Sequence, residues 1–266
     1  MTVTGDPARL SGTAPWEEPE EDDGLVRMTL AEHLAELRRR LIISMAAIAA
    51  GAVIAWFMYN PVLNFLITPY RHFLALHPHK DITHGQLVIN GPLEGFTTRV
   101  KIATYIGMGL ASPVVLWELW RFITPGLHKN EKRYAVPFVC SAVALFSGGV
   151  ATAILVFPKA ISWLISVSGS SVTPIFTASQ YFSLYVLACL IFGCVFLYPI
   201  VLMFLMISGV VPSRKWRKWR RMAIVIIAAT AAIITPSNDP FSFLAMAVPM
   251  YIFYEGSIVL GRILKK

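Results

Sequence analysis

Two carboxylates, Glu36 and Glu131, stand among cations at the margins of long apolar runs. Glu36 lies in AEHLAELRRRL (31–41), four residues ahead of Arg40 and close to Arg38 and Arg39. Glu131 lies in LWELWRFITPGLHKNEKRYAVPF (116–138), with Lys129, Lys132 and Arg133 around it. A carboxylate meets a planar guanidinium through two parallel hydrogen bonds, so such a pair of acids is suited to holding arginine side chains. Local readings stand beside that one. Glu36 can pair with Arg40 one turn on, worth ~0.2–0.5 kcal/mol, and Glu131 can be a favourable charge at the start of the next helix. Four more acids, Glu94, Glu118, Asp239 and Glu255, fall within or at the edge of apolar runs, where ionisable groups are costly and face a bundle interior or a water-filled cavity. Asp239, in the turn TPSNDP (235–240), reads equally as a cap of the following helix and as a functional group. Glu118, between Trp117 and Trp120, is expected to reach the membrane surface, as is Glu255, with Arg262 as its available partner.

Other chemistries are missing their residues. The sequence contains no GxxxxGK[ST] phosphate loop, no HExxH and no GxSxG. His33, His72, His77, His79, His84 and His128 fall in connectors or tails, and HPHKDITH (77–84) has neither the spacing nor the thiols of a metal site. The expectation is a protein that is not an enzyme and uses no cofactor and no metal. Any work done on a cargo has to be driven from elsewhere.

The elements that position these acids are apolar helices. Of 266 residues, 56% are hydrophobic and 14% charged, against about a quarter charged in ordinary soluble domains. Runs long enough for bilayer spans, roughly 20 residues each, recur at 41–59, 102–119, 134–157, 180–208, 222–235 and 240–260. This is an all-α membrane protein with six transmembrane helices, the two C-terminal ones short. The span 180–208 is long enough to tilt or to bend at Pro199. The fifth, at about 21 Å for 222–235, falls short of a hydrocarbon core of roughly 30 Å and should tilt little or thin the bilayer.

Lys and Arg placement sets the orientation. Arg38–Arg40, the connectors 121–133 and 209–221, and the tail with Arg262, Lys265 and Lys266 are rich in cations. The alternate connectors are poor, with Arg71 and Lys80 in the first and Lys159 in the second. Both termini are therefore expected on the cytoplasmic side. The net charge of +8 is a topology signal, with no nucleic acid implied even by KWRKWRR (215–221). Trp56, Tyr59, Trp117, Trp120, Trp163, Trp216 and Trp219 fall near span ends, as interfacial aromatics do. Cys140, Cys189 and Cys194 lie in apolar runs and read as small packing residues. The expected organisation is a disordered acidic tail over 1–27, including EEPEEDD (17–23), a transmembrane domain over 28–262 and a short basic tail over 263–266. The first apolar run is long enough to stay in the membrane, and no cleavable signal peptide is expected ahead of it.

Four motifs in order resemble the TatC family of the twin-arginine protein translocase: HLAELRRRL (33–41), GPLEGFTTRVKIA (91–103), LWELWRFITPGLHKNEKR (116–133) and TPSNDPFSFLAMAVPMYIFYE (235–255), with TPY (68–70) matching the family's proline after span one. The resemblance covers nearly the whole chain after residue 28. It implies a glove-shaped six-helix bundle in the bacterial cytoplasmic membrane. Such a protein is a signal-peptide receptor that exports folded proteins by proton motive force, with TatA-like and possibly TatB-like partners and with self-association. Carried over residue by residue, Glu36 and Glu131 accept the arginine pair of the signal, Phe122, Pro125 and Leu127 shape the site, and Arg38 and Arg133 stand nearby. Pro69 becomes a bend in the outer cap and Asp239 marks the final turn.

Two positions depart from the family pattern. Leu197, in FGCVFLYP (192–199), stands where many relatives carry a glutamate, and Phe243 stands where a glutamine is common. Both departures fall on surfaces the family uses within the bundle or towards partners and leave the cytoplasmic motifs unchanged. A competing class is a secondary transporter for a small solute, whose mark would be paired broken helices in two related halves. No convincing repeat is present.

Overall fold

A backbone inside an apolar run satisfies its polar groups by coiling on itself. The computed structural model describes residues 30–76, 86–123, 135–169, 175–207, 219–237 and 239–263. Eight helices run through these residues: α1 (Leu30–Phe57), α2 (Tyr59–Leu76), α3 (Pro92–Ile123), α4 (Ala135–Val167), α5 (Ala178–Val195), α6 (Tyr198–Ile207), α7 (Arg220–Ile234) and α8 (Pro240–Ile263). Five stretches are long and apolar enough to cross a membrane: 31–57, 92–122, 136–167, 178–203 and 240–259. The fifth expected span is α7, whose 15 residues reach only about 22 Å.

The first expected span does not run to 59. It ends at Phe57, and α2 starts after the single residue Met58. Pro61 explains the break: it cannot donate to the carbonyl a turn earlier, and proline is tolerated in the first turn of a new helix. Helix α2 is an element beyond the six expected spans. Its Leu66, Ile67, Tyr70, Phe73 and Leu74 recur at helical spacing and are buried. They pack against Phe157, Ile161 and Ile165 of α4 and Tyr181, Phe182 and Tyr185 of α5. Phe157 and Tyr185 stack with centroids 3.9 Å apart. Pro69 lies inside α2, where it removes one backbone donor, and the Tyr181 hydroxyl donates to the nearby Leu66 carbonyl at 3.0 Å.

Above α2 the two neighbouring connectors are tied by backbone. Val88 N donates to Phe176 O at 3.3 Å, and Ala178 N donates to Val88 O at 2.9 Å. Thr177 caps α5, its hydroxyl oxygen accepting from Gln180 N. At the same end of the bundle Arg99 donates to Trp56 O at 3.1 Å, its guanidinium 4.3 Å from the Trp56 ring centre and 4.8 Å from that of Tyr59. Burial pushes the Tyr59 phenol above its usual range, with Arg99 acting in the opposite direction.

The long fourth run bends, as its proline implied. Helix α5 stops at Val195 and α6 starts at Tyr198, because Pro199 cannot supply the next helical donor. Leu197, one of the two departures, sits in that break and is half-buried. Phe243, the other, packs on the second core cluster. That cluster joins Phe192 and Phe196 to Ala223, Ile227 and Ala231 of α7 and to Met246, Met250, Tyr254 and Ile258 of α8, every fourth residue in each helix.

Helix α1 has α3 as its principal partner, and their crossing is made of glycine. A Cβ on Gly107 would fall 2.5 Å from Ala52 N, and one on Gly51 would fall 2.7 Å from Gly107 O. Small residues let two backbones touch where lipid offers no hydrophobic drive for association. Beyond this crossing α1 is largely uncovered, with Leu34, Leu37, Leu41, Met45, Val53 and Phe57 all exposed.

Candidate functional site

The polar residues of α1 and α3 meet at the end of the bundle opposite α2. Because α1 and α3 are locked at Gly51 and Gly107, their registers are fixed over the turns that follow. Arg40 then lies between two carboxylates. Its Nη1 donates to Glu118 Oε2 at 3.0 Å, while Nε donates to Glu36 Oε1 at 3.1 Å and Nη2 donates to the same oxygen. The local pair of Glu36 with Arg40 is therefore present, and a third member extends it across the helices. The other oxygen of Glu36, Oε2, is buried and has no hydrogen-bond partner among the described residues.

Glu118 is only 7% exposed and turns inward to Arg40. The two tryptophans beside it part company: Trp120 is buried on Phe138 of α4, with ring centres 4.1 Å apart, and Trp117 is 38% exposed. One turn beyond Glu118, Phe122 stacks on His33 of α1 at 4.5 Å. Phe122 and Glu36 thus belong to one α1–α3 surface. Arg38 and Arg39 are exposed on the outside of it. Pro125, Leu127, Glu131 and Arg133 lie outside the described residues, in the segment that begins one residue after α3 ends at Ile123.

Three other acids have local duties. Asp239 is 1% exposed and caps α8: Oδ1 accepts from Ser242 N at 2.8 Å, and Oδ2 accepts from the Ser237 hydroxyl. Glu94 reaches back from the first turn of α3 to accept from Asn90 N at 2.6 Å, tying the entering chain to the helix start. Glu255 takes Arg220 of α7 at 2.6 Å, with the Tyr251 hydroxyl donating at 3.2 Å. The α7–α8 hairpin brings Arg220 alongside it, and the side chain of Arg262, the partner available in sequence, lies outside the described residues. Pro69 and Asp239 are well separated from the Glu36 surface in role, one breaking donors in α2 and the other starting α8. Among the described residues no group of three or more His, Cys, Asp or Glu could hold a metal ion.

Sequence reasoning named Glu36 and Phe122 but missed Glu118 as a member of the cluster. Its own neighbours, two tryptophans, gave no sign of a partner 78 residues away. What the arrangement can do chemically follows from its formal charges. Two carboxylates and one guanidinium leave one negative charge over, next to a carboxylate oxygen with no partner among the described residues.

Comparison with known proteins places these motifs. The family model described as "TatC: Sec-independent protein translocase protein (TatC)" matches residues 32–249. A Sec-independent protein translocase protein TatC of Koribacter versatilis is 40% identical over 239 residues, covering 89% of this chain and 86% of that protein. One of Frankia casuarinae is 35% identical over 242 residues, covering 88% of this chain and 66% of that longer protein. Among solved structures, a twin-arginine translocase receptor TatC superposes with a TM-score of 0.71 at 34% identity, covering 88% of this chain and 100% of its own.

Proposed function

Since the chain belongs to the TatC family of Sec-independent protein translocase proteins, multi-pass membrane proteins of protein transport rather than enzymes, we propose that it is the receptor for twin-arginine signal peptides. In this reading the α1–α3 surface with Glu36 and Phe122 faces the cytoplasm together with the 124–134 connector. Glu36 and Glu131 accept the two guanidinium groups of the signal. Phe122, Pro125 and Leu127 shape the floor under them, and Arg38 and Arg133 hold the surface at the membrane edge. Both termini are cytoplasmic, in the bacterial cytoplasmic membrane. Folded precursors pass with TatA-like and possibly TatB-like single-span partners, in self-associated assemblies, at the expense of the proton motive force.

The observation that carries this reading is the Glu36 carboxylate. Its buried Oε2 has no donor among the described residues, and a carboxylate oxygen in that position has a large desolvation cost to recover. A guanidinium from outside supplies both the charge and the planar fork that fits it. Lysine, a point charge on a flexible stem, does not.

The test is binding of an arginine-pair signal peptide to purified Glu36→Gln/Glu131→Gln protein. Loss of one charge-assisted bond, ~1.5–3 kcal/mol, lowers affinity about ten- to a hundredfold, and the pair lowers it further. Wild-type affinity in a normally folded double variant means that the arginines are read elsewhere.

A further inference from the structure

We propose that Arg40 is a built-in stand-in for the arriving guanidinium, and that Glu118 is a positioning residue that receives Arg40 when a signal arginine takes Glu36. The inference rests on the Glu36 reading above and adds the device by which that site stays both occupied when empty of ligand and open to exchange.

The geometry divides the Arg40 guanidinium unequally. Two of its nitrogens, Nε and Nη2, point at a single oxygen of Glu36, and the third, Nη1, points at Glu118 across the helix pair. Both carboxylates and the guanidinium are largely sheltered, with side-chain exposures of 19%, 8% and 14% for Glu36, Glu118 and Arg40. Sheltered charges that lose a partner are strongly destabilised. A site that needs a free Glu36 therefore requires something to hold it between ligands, and Arg40 does this one turn away on the same helix.

An Arg40–Glu36 pair alone would be a poor receptor. It is formally neutral, and an arriving arginine would have to expel Arg40 into a place with no counter-charge. Glu118 removes both obstacles. It returns the cluster to a net formal charge of −1, which attracts a cation, and it already holds one arm of Arg40. When an outside guanidinium takes the Glu36 carboxylate, whose side chain is 19% exposed, Arg40 needs only to rotate its remaining nitrogens towards Glu118. Arg40 keeps a carboxylate partner at every point of the exchange. Glu118 itself need not touch the ligand.

The experiment uses the full chain in detergent micelles, and as probe a synthetic signal peptide with two consecutive arginines. The blank is the same peptide with both arginines replaced by glutamine. Four variants are measured for binding and for thermal unfolding: Glu36→Gln, Arg40→Gln, Glu118→Gln and the Arg40→Gln/Glu118→Gln double. Glu118→Gln is expected to weaken binding about tenfold, since Arg40 then has Glu36 as its sole counter-charge and competes in full. The double variant is expected to bind at least as well as wild type, because the competitor has gone with its receptor. Arg40→Gln alone is expected to bind no more weakly than wild type.

Wild-type affinity in folded Glu118→Gln overturns the inference, as does a double variant that stays weak while unfolding at the Glu118→Gln temperature. Should Glu118→Gln fail to fold, weaker binding in Arg40→Gln overturns it instead. If Glu36→Gln binds as wild type, the site reading itself fails and the exchange falls with it. That outcome is separate from one in which Glu36→Gln is impaired and Glu118→Gln is not.

Discussion

Replacing Gly107 with alanine should pry α1 from α3. The added Cβ would lie 2.5 Å from Ala52 N, 2.7 Å from Ala52 Cα and 3.0 Å from Ala52 Cβ. Carbon atoms in good contact sit ~3.5–4.0 Å apart, so the axes have to part by about 1 Å. All three obstacles belong to Ala52, its backbone and the Cβ fixed to it, so no flexible side chain can yield. Overpacking of this kind costs ~1–3 kcal/mol. At roughly 2–4 °C per kcal/mol for a chain of this size, the unfolding midpoint should fall by about 2–12 °C in detergent. Gly109, half a turn away, is the internal control: a Cβ there meets nothing within 4 Å, and alanine in a helix interior gains up to ~1 kcal/mol over glycine. The two substitutions are thus expected to shift the midpoint in opposite directions. A second readout is the ion cluster, since a further ~1 Å carries the 3.0 Å Arg40–Glu118 bond past hydrogen-bond range. Equal midpoints for Gly107→Ala and Gly109→Ala would refute the glycine-crossing argument.

Asp239→Ala should cost ~1–2 kcal/mol by removing the cap of α8, and Asp239→Asn should recover part of it, because the amide oxygen can still accept from Ser242 N; thermal unfolding of the three proteins checks the order. Cysteines placed singly in 77–84 and in 168–174 should label from the outside of intact cells, and labelling of either from the cytoplasm would reverse the proposed orientation. The lipid surface should dip beside α7, whose 15 residues reach about 22 Å; electron cryo-microscopy of the protein in nanodiscs would show an undistorted bilayer there if this is wrong.

The long helices were legible because hydropathy is a local signal and spanning length is a simple threshold. Pro199 marked the bend between α5 and α6 for the same reason, since its missing donor acts on its own helix. The cap at Asp239 was one of two readings legible in TPSNDP, and the Glu36–Arg40 pair was legible from its one-turn spacing. What the sequence hid depends on register between distant elements. Glu118 pairs with Arg40 because two glycines 56 residues apart set how α1 and α3 lie, and Glu255 finds Arg220 because a hairpin folds back. Helix α2 was missed for a different reason. Its Asn60, Asn64, Arg71 and His72 dilute the hydropathy below that of a span, and its apolar face becomes visible as such only against the aromatic residues of α4 and α5.

The backbone bridge between Val88 and Phe176–Ala178 also sets a timetable. Its second half is made about ninety residues after its first, and at ~5–20 residues per second of synthesis that delay is about 5–18 s. During it the buried face of α2 still lacks the α5 aromatics Tyr181, Phe182 and Tyr185, which are translated after its partners on α3 and α4. An apolar stripe with a polar reverse face rests stably in the headgroup region of a bilayer. In the growing chain α2 is therefore expected to lie at the bilayer surface with one side of its apolar face still open, until α5 arrives and the bridge closes over it.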